Sequence, residues 1–278
     1  MTVYNWKKLA QDKLLDIAAY CIHSALKTPQ ITGRVELEFE VVSGEDIAPI
    51  IEAFGLLSSV AGYHAISLMS YTKALSSGEP LVLLLVGGKN IRRSELTWNC
   101  GACGFRTCGE FNKYSKKIKP NILCEANGPF CQWKAIDFAM ACDWACAQAW
   151  HHNITNRLEV ASGWAARAIG YLPECDAVRG LPLGPLQDMF WYSREVVNDM
   201  LPYDMWKEVI QTQYSFHWAP FPGHRHPFIK SGQEWWATSR DRALNPRNME
   251  AFDQTKLATL EGLKALREKV QTQGIERE

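Results

Sequence analysis

Cysteine is concentrated in one short stretch of this 278-residue chain. Seven of the nine cysteines fall between positions 100 and 146, and the first three, Cys100, Cys103 and Cys108, have the spacing C-x2-C-x4-C. This spacing places three thiolates on one tight turn that enters a helix, which is the geometry of an iron–sulfur cluster motif. The rest of the fold must therefore hold this turn in place and supply a fourth ligand.

Two later cysteines, Cys124 and Cys131, are the candidates for the fourth ligand. Within the motif, Gly101 and Gly104 allow the backbone to fold around a bulky inorganic core and to direct N–H groups at sulfur. Residues 91–120 hold seven Lys and Arg against two Glu. A [4Fe-4S] cluster with four thiolates is negatively charged, so this basic segment supports the cluster assignment.

The other four cysteines have a plainer interpretation as core thiols. A structural zinc site prefers two C-x2-C pairs, whereas Cys142 and Cys146 are four residues apart on a predicted helix. Cys21 and Cys175 stand alone in the sequence. Two alternatives to the cluster stay open at this point: a zinc ion bound by the same cysteine segment, and free buried thiols.

Charge and hydropathy exclude several classes of function. Thirty Lys and Arg balance thirty Asp and Glu, so no overall positive field attracts nucleic acid or anionic lipid. The longest apolar run, residues 81–86, is far shorter than a membrane span, and the first residues lack the apolar core of a signal peptide. We therefore expect a cytoplasmic protein with no nucleic-acid partner and no membrane partner, and hence no disulfide framework.

Hydrophobic periodicity predicts a mixture of helices and strands. The predicted helices span residues 6–26, 45–73 with an interruption near Gly55 or Gly62, 108–119, 134–151, 162–169 and 250–271. The predicted strands span residues 35–42, 81–86, where Gly87-Gly88 ends the strand, and 177–183. We assign an α/β (α+β) fold with a core domain over 1–202 and a Trp- and His-rich C-terminal extension over 203–278 that packs on the core.

Two further sets of polar residues have structural interpretations. Asp137 lies near the start of a predicted helix, where a carboxylate stabilises the helix dipole. His217, His224 and His226 are separated by seven and two positions, which matches neither a helical metal pair nor a knuckle. We interpret their segment as a polar loop.

The motifs around the cysteines resemble a known family. The segments that carry the resemblance are Cys-Gly-Ala-Cys-Gly-Phe-Arg-Thr-Cys-Gly-Glu-Phe, Gly128-Pro-Phe-Cys131-Gln-Trp-Lys-Ala-Ile-Asp137, Asn156-Arg157, Gly163-Trp-Ala-Ala-Arg-Ala-Ile-Gly170 and Gly180-Leu-Pro-Leu-Gly184. They resemble bacterial and archaeal proteins described as containing a ferredoxin domain, over roughly residues 10–200. A Gly-Pro-x-Cys cysteine recurs in that family, which favours Cys131 as the fourth ligand. The motif is also similar to that of the large subunit of the corrinoid iron–sulfur protein, whose fourth cysteine has a spacing close to that of Cys124.

The order of elements is similar to that of FMN-dependent nitroreductases. This resemblance implies a nitroreductase-like core into which a cluster-binding segment at about residues 98–131 is inserted. It also implies that Lys27, Thr28 and Gln30 hold a flavin and that Arg194 holds its phosphate. FMN is therefore a second candidate cofactor, and a homodimer with sites at the subunit interface is the implied assembly.

These observations predict an iron–sulfur redox enzyme. A [4Fe-4S] cluster would pass electrons to a bound flavin or directly to a small organic substrate, and the Trp- and His-rich extension would shape the substrate site. Arg106 and the nearby lysines would tune the reduction potential or receive an electron donor protein. The alternative is a non-catalytic electron-transfer or accessory iron–sulfur protein whose basic face docks an acidic partner.

Overall fold

The structure is a computed structural model in which some parts of the chain are left undescribed. The described residues are 3, 5–123, 128–186, 191 and 249–272, with side chains of the last segment described from 253 onward. Cys124, Arg194 and the three histidines at 217, 224 and 226 lie outside this part. The predicted domain boundary at residue 202 lies outside it as well and stays a prediction.

A three-stranded antiparallel sheet forms the centre of the fold. Its strands are β1 (Glu36–Ser43), β2 (Val82–Lys89) and β3 (Ala177–Leu183), in the spatial order β1-β2-β3. β2 is buried along nearly its whole length because it lies between the other two strands and is covered on both faces, which explains its continuous apolar sequence. About 55% of the described residues are helical, so with this sheet the described part is a mixed α+β fold.

Helices cover both faces of the sheet. On one face, α1 (Trp6–Leu26) and α5 (Gln132–His151) pack against Val82, Leu84 and Val86. On the other face, Leu83 and Leu85 pack against a second group of helices, which consists of α2 (Ala48–Ser58), α3 (Tyr63–Ser76), α6 (Val160–Ala168) and α7 (Met249–Thr272). Because successive strand residues point to opposite faces, β2 contributes to both cores at once.

Most predicted elements agree with the structure to within a few residues. The helix over 6–26 and the strand over 177–183 have the predicted bounds. The predicted interruption falls at residues 59–62, between α2 and α3, whereas Gly55 lies inside α2.

None of the helices in the described part is long and apolar enough to cross a bilayer.

The prediction that Gly87-Gly88 ends the second strand is wrong. Both glycines belong to β2, which continues to Lys89. A Cβ atom at Gly87 would lie 2.4 Å from Cys175 Sγ, and one at Gly88 would lie 2.7 Å from the ring of Phe138. These two glycines therefore allow neighbouring side chains to approach the strand closely and do not terminate it.

Candidate metal centre

Four cysteines line one cavity beside the start of α5. The connection from β2 to α5 contains α4 (Cys108–Lys117), and Cys100, Cys103, Cys108 and Cys131 all contribute to the cavity wall. The cavity has about 320 Å³ that protein atoms do not fill, counting space that is open to solvent. Cys100 is exposed, Cys103 and Cys108 are half-buried, and Cys131 is buried. The cavity therefore has one side open to solvent and one side within the protein.

The turn that carries the first three cysteines depends on glycine. Gly101 and Gly104 have φ angles of +73° and +83°, and the Gly104 N–H donates to the Gly101 carbonyl at 2.9 Å. Glycine adopts this left-handed conformation at little cost, whereas other residues are strained in it. The glycines thus permit the chain to reverse direction between Cys100 and Cys108.

Two of the cysteines lie at the N-terminal ends of helices. Cys108 is the first residue of α4, whose N-cap Thr107 accepts a hydrogen bond from the Glu110 N–H at 3.1 Å. Cys131 is the N-cap of α5, and its own N–H donates to the Ile91 carbonyl at 2.9 Å. The positive end of a helix dipole stabilises a thiolate and any negatively charged group that the thiolate binds.

The surroundings of Cys108 favour its thiolate form. The Ser94 hydroxyl is the largest influence and lowers the pKa of the Cys108 thiol, and backbone N–H groups of residues 97–99 lower it further. Burial of the sulfur acts in the opposite direction but does not outweigh these donors. Because the thiolate is the form that ligates metals, this lowered pKa suits Cys108 to metal binding.

Two polar groups in the cavity wall, Ser94 Oγ and Trp133 Nε1, are buried and make no hydrogen bond of normal length among the described residues. The backbone of Ser94 is held in place by Asn112, which accepts from the Ser94 N–H at 2.8 Å and donates to its carbonyl at 2.7 Å. Buried donors without acceptors are costly. A sulfur-rich group in the cavity would give both donors an acceptor, so the wall fits an iron–sulfur cluster.

A buried lysine of α5 binds the segment that contains Ser94. Lys134 Nζ donates to both carboxylate oxygens of Glu95, at 3.0 and 2.8 Å, and to the Asn90 carbonyl at 2.9 Å. Burial raises the pKa of Glu95, but the interactions with Lys134 outweigh it and leave this pKa below its usual value. Sequence reasoning missed this ion pair, although a single lysine among apolar residues at the start of α5 was a visible signal.

No three His, Cys, Asp or Glu side chains within the described ranges converge closely enough to hold a single metal ion. Cys124 was not part of that search, because it lies outside the described residues. In a four-iron cluster each thiolate binds a different iron atom, so the donors surround a group of atoms and do not meet at one point.

Three of the remaining described cysteines are buried core thiols, as predicted, and Cys146 is half-buried against the same core as Cys21 and Cys142. Cys21 and Cys142 belong to the core beneath α1 and α5, and Cys175 belongs to the core on the other face of the sheet. Burial raises the pKa of Cys21, Cys146 and Cys175 to about 12. These thiols are therefore protonated near neutral pH and are poor ligands, in contrast to Cys108.

The three described residues of the predicted flavin site lie together in the loop after α1. Thr28 donates to a backbone carbonyl one turn earlier, and the Gln30 side chain makes two 3.1 Å hydrogen bonds to the backbone of Val35. Lys27 is the C-cap of α1. None of the three lines the cysteine cavity. The flavin site stays a prediction, since its fourth member, Arg194, lies outside the described residues.

Asp137 holds the same loop against α5. Its carboxylate is fully buried and accepts from the Ile31 N–H at 2.6 Å, the Thr32 N–H at 2.9 Å and the Thr32 hydroxyl. The predicted interaction with the helix dipole is therefore not its main role. Asp137 joins α5 to the loop between α1 and β1.

Comparisons with known proteins found one family match and one relative. Residues 127–192 match the family described as uncharacterized protein containing a ferredoxin domain. A protein of Archaeoglobus fulgidus, named as an uncharacterized protein, is 27% identical over 190 residues, which cover 68% of this chain and 96% of the relative. No solved structure matches the chain.

The family match covers one cysteine of the site. The matched residues include Cys131 but begin after the C-x2-C-x4-C motif. A ferredoxin domain points to an iron–sulfur cluster and to electron transfer. The resemblance to nitroreductases has no counterpart in these comparisons and stays a prediction.

Proposed function

We propose that this chain is an iron–sulfur electron-transfer protein that holds a [4Fe-4S] cluster on Cys100, Cys103, Cys108 and Cys131. The observation that carries the proposal is the single cavity lined by these four cysteines. Two of them lie at helix N-termini, and the pKa of Cys108 is lowered. The match to a family with a ferredoxin domain supports the same chemistry independently of this geometry.

Residues of this chain would contribute to a bound cluster in three ways. The cysteine thiolates bind iron, and a bound cluster accepts and releases one electron at a time. The N-termini of α4 and α5 stabilise negative charge next to Cys108 and Cys131. The buried donors Ser94 Oγ and Trp133 Nε1 would donate hydrogen bonds to sulfur and so stabilise a reduced, more negative state.

The exposed side of the cavity supports exchange of electrons with another protein. Cys100 is exposed there, and the neighbouring Trp98 is 49% exposed. Arg106 lies in the same turn and is also exposed. An exposed cationic side chain beside an exposed aromatic one suits an acidic partner surface. This arrangement favours the electron-transfer role. Catalytic reduction of a small organic substrate, directly or through bound FMN, stays the second candidate on the sequence resemblance alone.

The absorption spectrum and metal content of anaerobically purified protein test the proposal. We expect broad brown absorption that bleaches on reduction, with about four iron and four sulfide per chain. A colourless protein that contains zinc would contradict the cluster, because zinc has no visible absorption of its own. Resolved flavin bands would favour the FMN-linked enzyme, and their absence after gentle purification would argue against it.

A pair of cysteine variants links the spectrum to the site. Cys103→Ala should abolish the cluster, because it removes a ligand from the C-x2-C-x4-C turn. Cys175→Ala is the matched control, since this thiol is buried in the core on the far face of the sheet. Equal iron content in the two variants would refute the assignment.

A further inference from the structure

A second cavity lies near the C-terminal end of α4 and shares no lining residue with the cysteine cavity. It is an open groove of about 1250 Å³, counting space that is open to solvent. Five of its lining residues are cationic and two are acidic. The cations are Lys89, Arg92, Arg93, Lys116 and Lys119. The groove therefore has a positive lining.

The two acidic residues of the groove, Glu174 and Asp176, offset only part of the charge of its five cations. Asp176 accepts hydrogen bonds from the backbone N–H groups of Ile91 and Arg92, at 2.8 and 3.1 Å. Of the cations, Lys89 pairs with Glu38 on the neighbouring strand. Arg93, Lys116 and Lys119 are exposed to solvent at the rim of the groove and are available to a ligand.

Two buried donors lie in the wall of this groove. The guanidinium of Arg92 is fixed at the end of α4, where its Nη2 atom donates to the carbonyls of Ser115 and Ile118 at 2.9 and 2.6 Å. Its Nε atom is buried without a hydrogen-bonding partner among the described residues. Ser115 is only 3% exposed, and its hydroxyl also lacks a partner there. Buried polar atoms are nearly always paired, so two such donors in one groove indicate an absent acceptor.

We propose that this groove binds the phosphate or diphosphate group of a small molecule. Arg92 Nε and Ser115 Oγ would donate to phosphate oxygens, and Arg93, Lys116 and Lys119 would supply charge at the rim. Several cations around a few fixed donors suit a multiply charged anion, and a concave site suits a small ligand better than a flat protein surface. This inference does not depend on the cluster.

Calorimetric titration of the full chain at low ionic strength tests the inference. The probes are pyrophosphate, inorganic phosphate and citrate, so that phosphate chemistry is compared with a polycarboxylate of similar charge. We expect saturable binding of pyrophosphate, and tighter binding than for citrate. If inorganic phosphate binds as tightly as pyrophosphate, one phosphate group fills the site, and tighter pyrophosphate binding indicates a diphosphate ligand.

Matched charge variants locate the binding. Lys116→Gln with Lys119→Gln should weaken pyrophosphate binding about tenfold or more, because two cations at the rim are lost. Lys113→Gln with Lys117→Gln removes the same charge from exposed positions of α4 that do not line the groove. The control should bind within about twofold of the original protein. Equal weakening in both double variants would overturn the site, since it would indicate attraction by overall charge.

Ser115→Ala distinguishes a site with fixed hydrogen-bond donors from a surface that attracts anions only by its charge. Removal of one buried hydroxyl leaves the net charge unchanged, so a several-fold loss of pyrophosphate affinity would identify Ser115 as a ligand-binding residue. Unchanged affinity would contradict the proposal that buried donors in the groove wall, such as Ser115 Oγ, bind the phosphate group. Failure of pyrophosphate to bind, together with salt-sensitive binding of polyglutamate, would overturn the proposal in favour of a docking surface for acidic proteins.

Discussion

The most informative single perturbation of the cysteine site is Ser94→Ala. The Ser94 hydroxyl is buried, lowers the pKa of the Cys108 thiol and has no hydrogen-bonding partner of normal length among the described residues. The backbone of residue 94 is held by Asn112 through its N–H and carbonyl groups, which the substitution leaves intact. Ser94→Ala should therefore remove one donor beside Cys108 and change little else.

The size of the effect follows from the energy of one hydrogen bond. A donor to sulfur stabilises the reduced cluster more than the oxidised one, because the reduced state carries one more negative charge. If that difference equals a net hydrogen bond of about 0.5–1.5 kcal/mol, removal of the hydroxyl makes the reduction potential more negative by about 20–60 mV for a one-electron couple. In the cluster-free protein the same change removes an unsatisfied buried group, so stability should be unchanged or slightly higher.

Both quantities can be measured on the same preparations. A reductive titration followed by electron paramagnetic resonance gives the potential, and urea unfolding of the cluster-free protein gives the stability. Ser115→Ala is the matched control, because it removes an equally buried hydroxyl from the opposite end of α4. A potential that is unchanged, or that shifts equally in the control, would refute the reasoning that Ser94 faces the cluster.

Two further predictions concern stability. Gly163→Ala should destabilise the fold by about 1–3 kcal/mol or more in urea unfolding, since its Cβ would lie 2.2 Å from the Val178 carbonyl oxygen, whereas Gly55→Ala, with open space around its Cβ, should stabilise α2 by up to about 1 kcal/mol. Lys134→Met should cost about 1–3 kcal/mol at neutral pH, because it removes the donor that binds Glu95. The pKa of Glu95 is lowered in the folded protein, so the pair stabilises the fold at neutral pH, and this contribution is lost as the pH falls below 4.5. Stability measured from pH 7 to 3 should therefore decline less steeply in Lys134→Met, and an equal decline in both proteins would contradict the role of the pair.

Local signals in the sequence predicted most of the described fold. The helix over 6–26 and the strand over 177–183 follow directly from apolar periodicity. Gly87 and Gly88 are the exception, because glycine has two structural uses in a strand. Glycine can end a strand, or it can admit a neighbour such as Cys175 at close range, and only tertiary packing decides between these uses.

The cysteines of the candidate site stand out in the sequence, whereas its supporting residues do not. The spacing of Cys100, Cys103 and Cys108 is a local feature of the sequence, so a sequence motif detects it. The pairing of Lys134 with Glu95 joins positions 39 residues apart, and no local pattern encodes that contact. The role of Ser94 is equally hard to predict from the sequence. Its hydroxyl influences Cys108 only because the fold buries it beside that sulfur.

The iron content of two single cysteine variants tests the central claim most directly. The four-cysteine cavity predicts that Cys131→Ala, purified anaerobically, loses the iron and sulfide of the cluster together with its visible absorption. Cys124→Ala should retain about four iron per chain, because Cys131 already completes the ligand set. Retention of the full cluster in Cys131→Ala and its loss in Cys124→Ala would contradict the assignment and make Cys124 the fourth ligand.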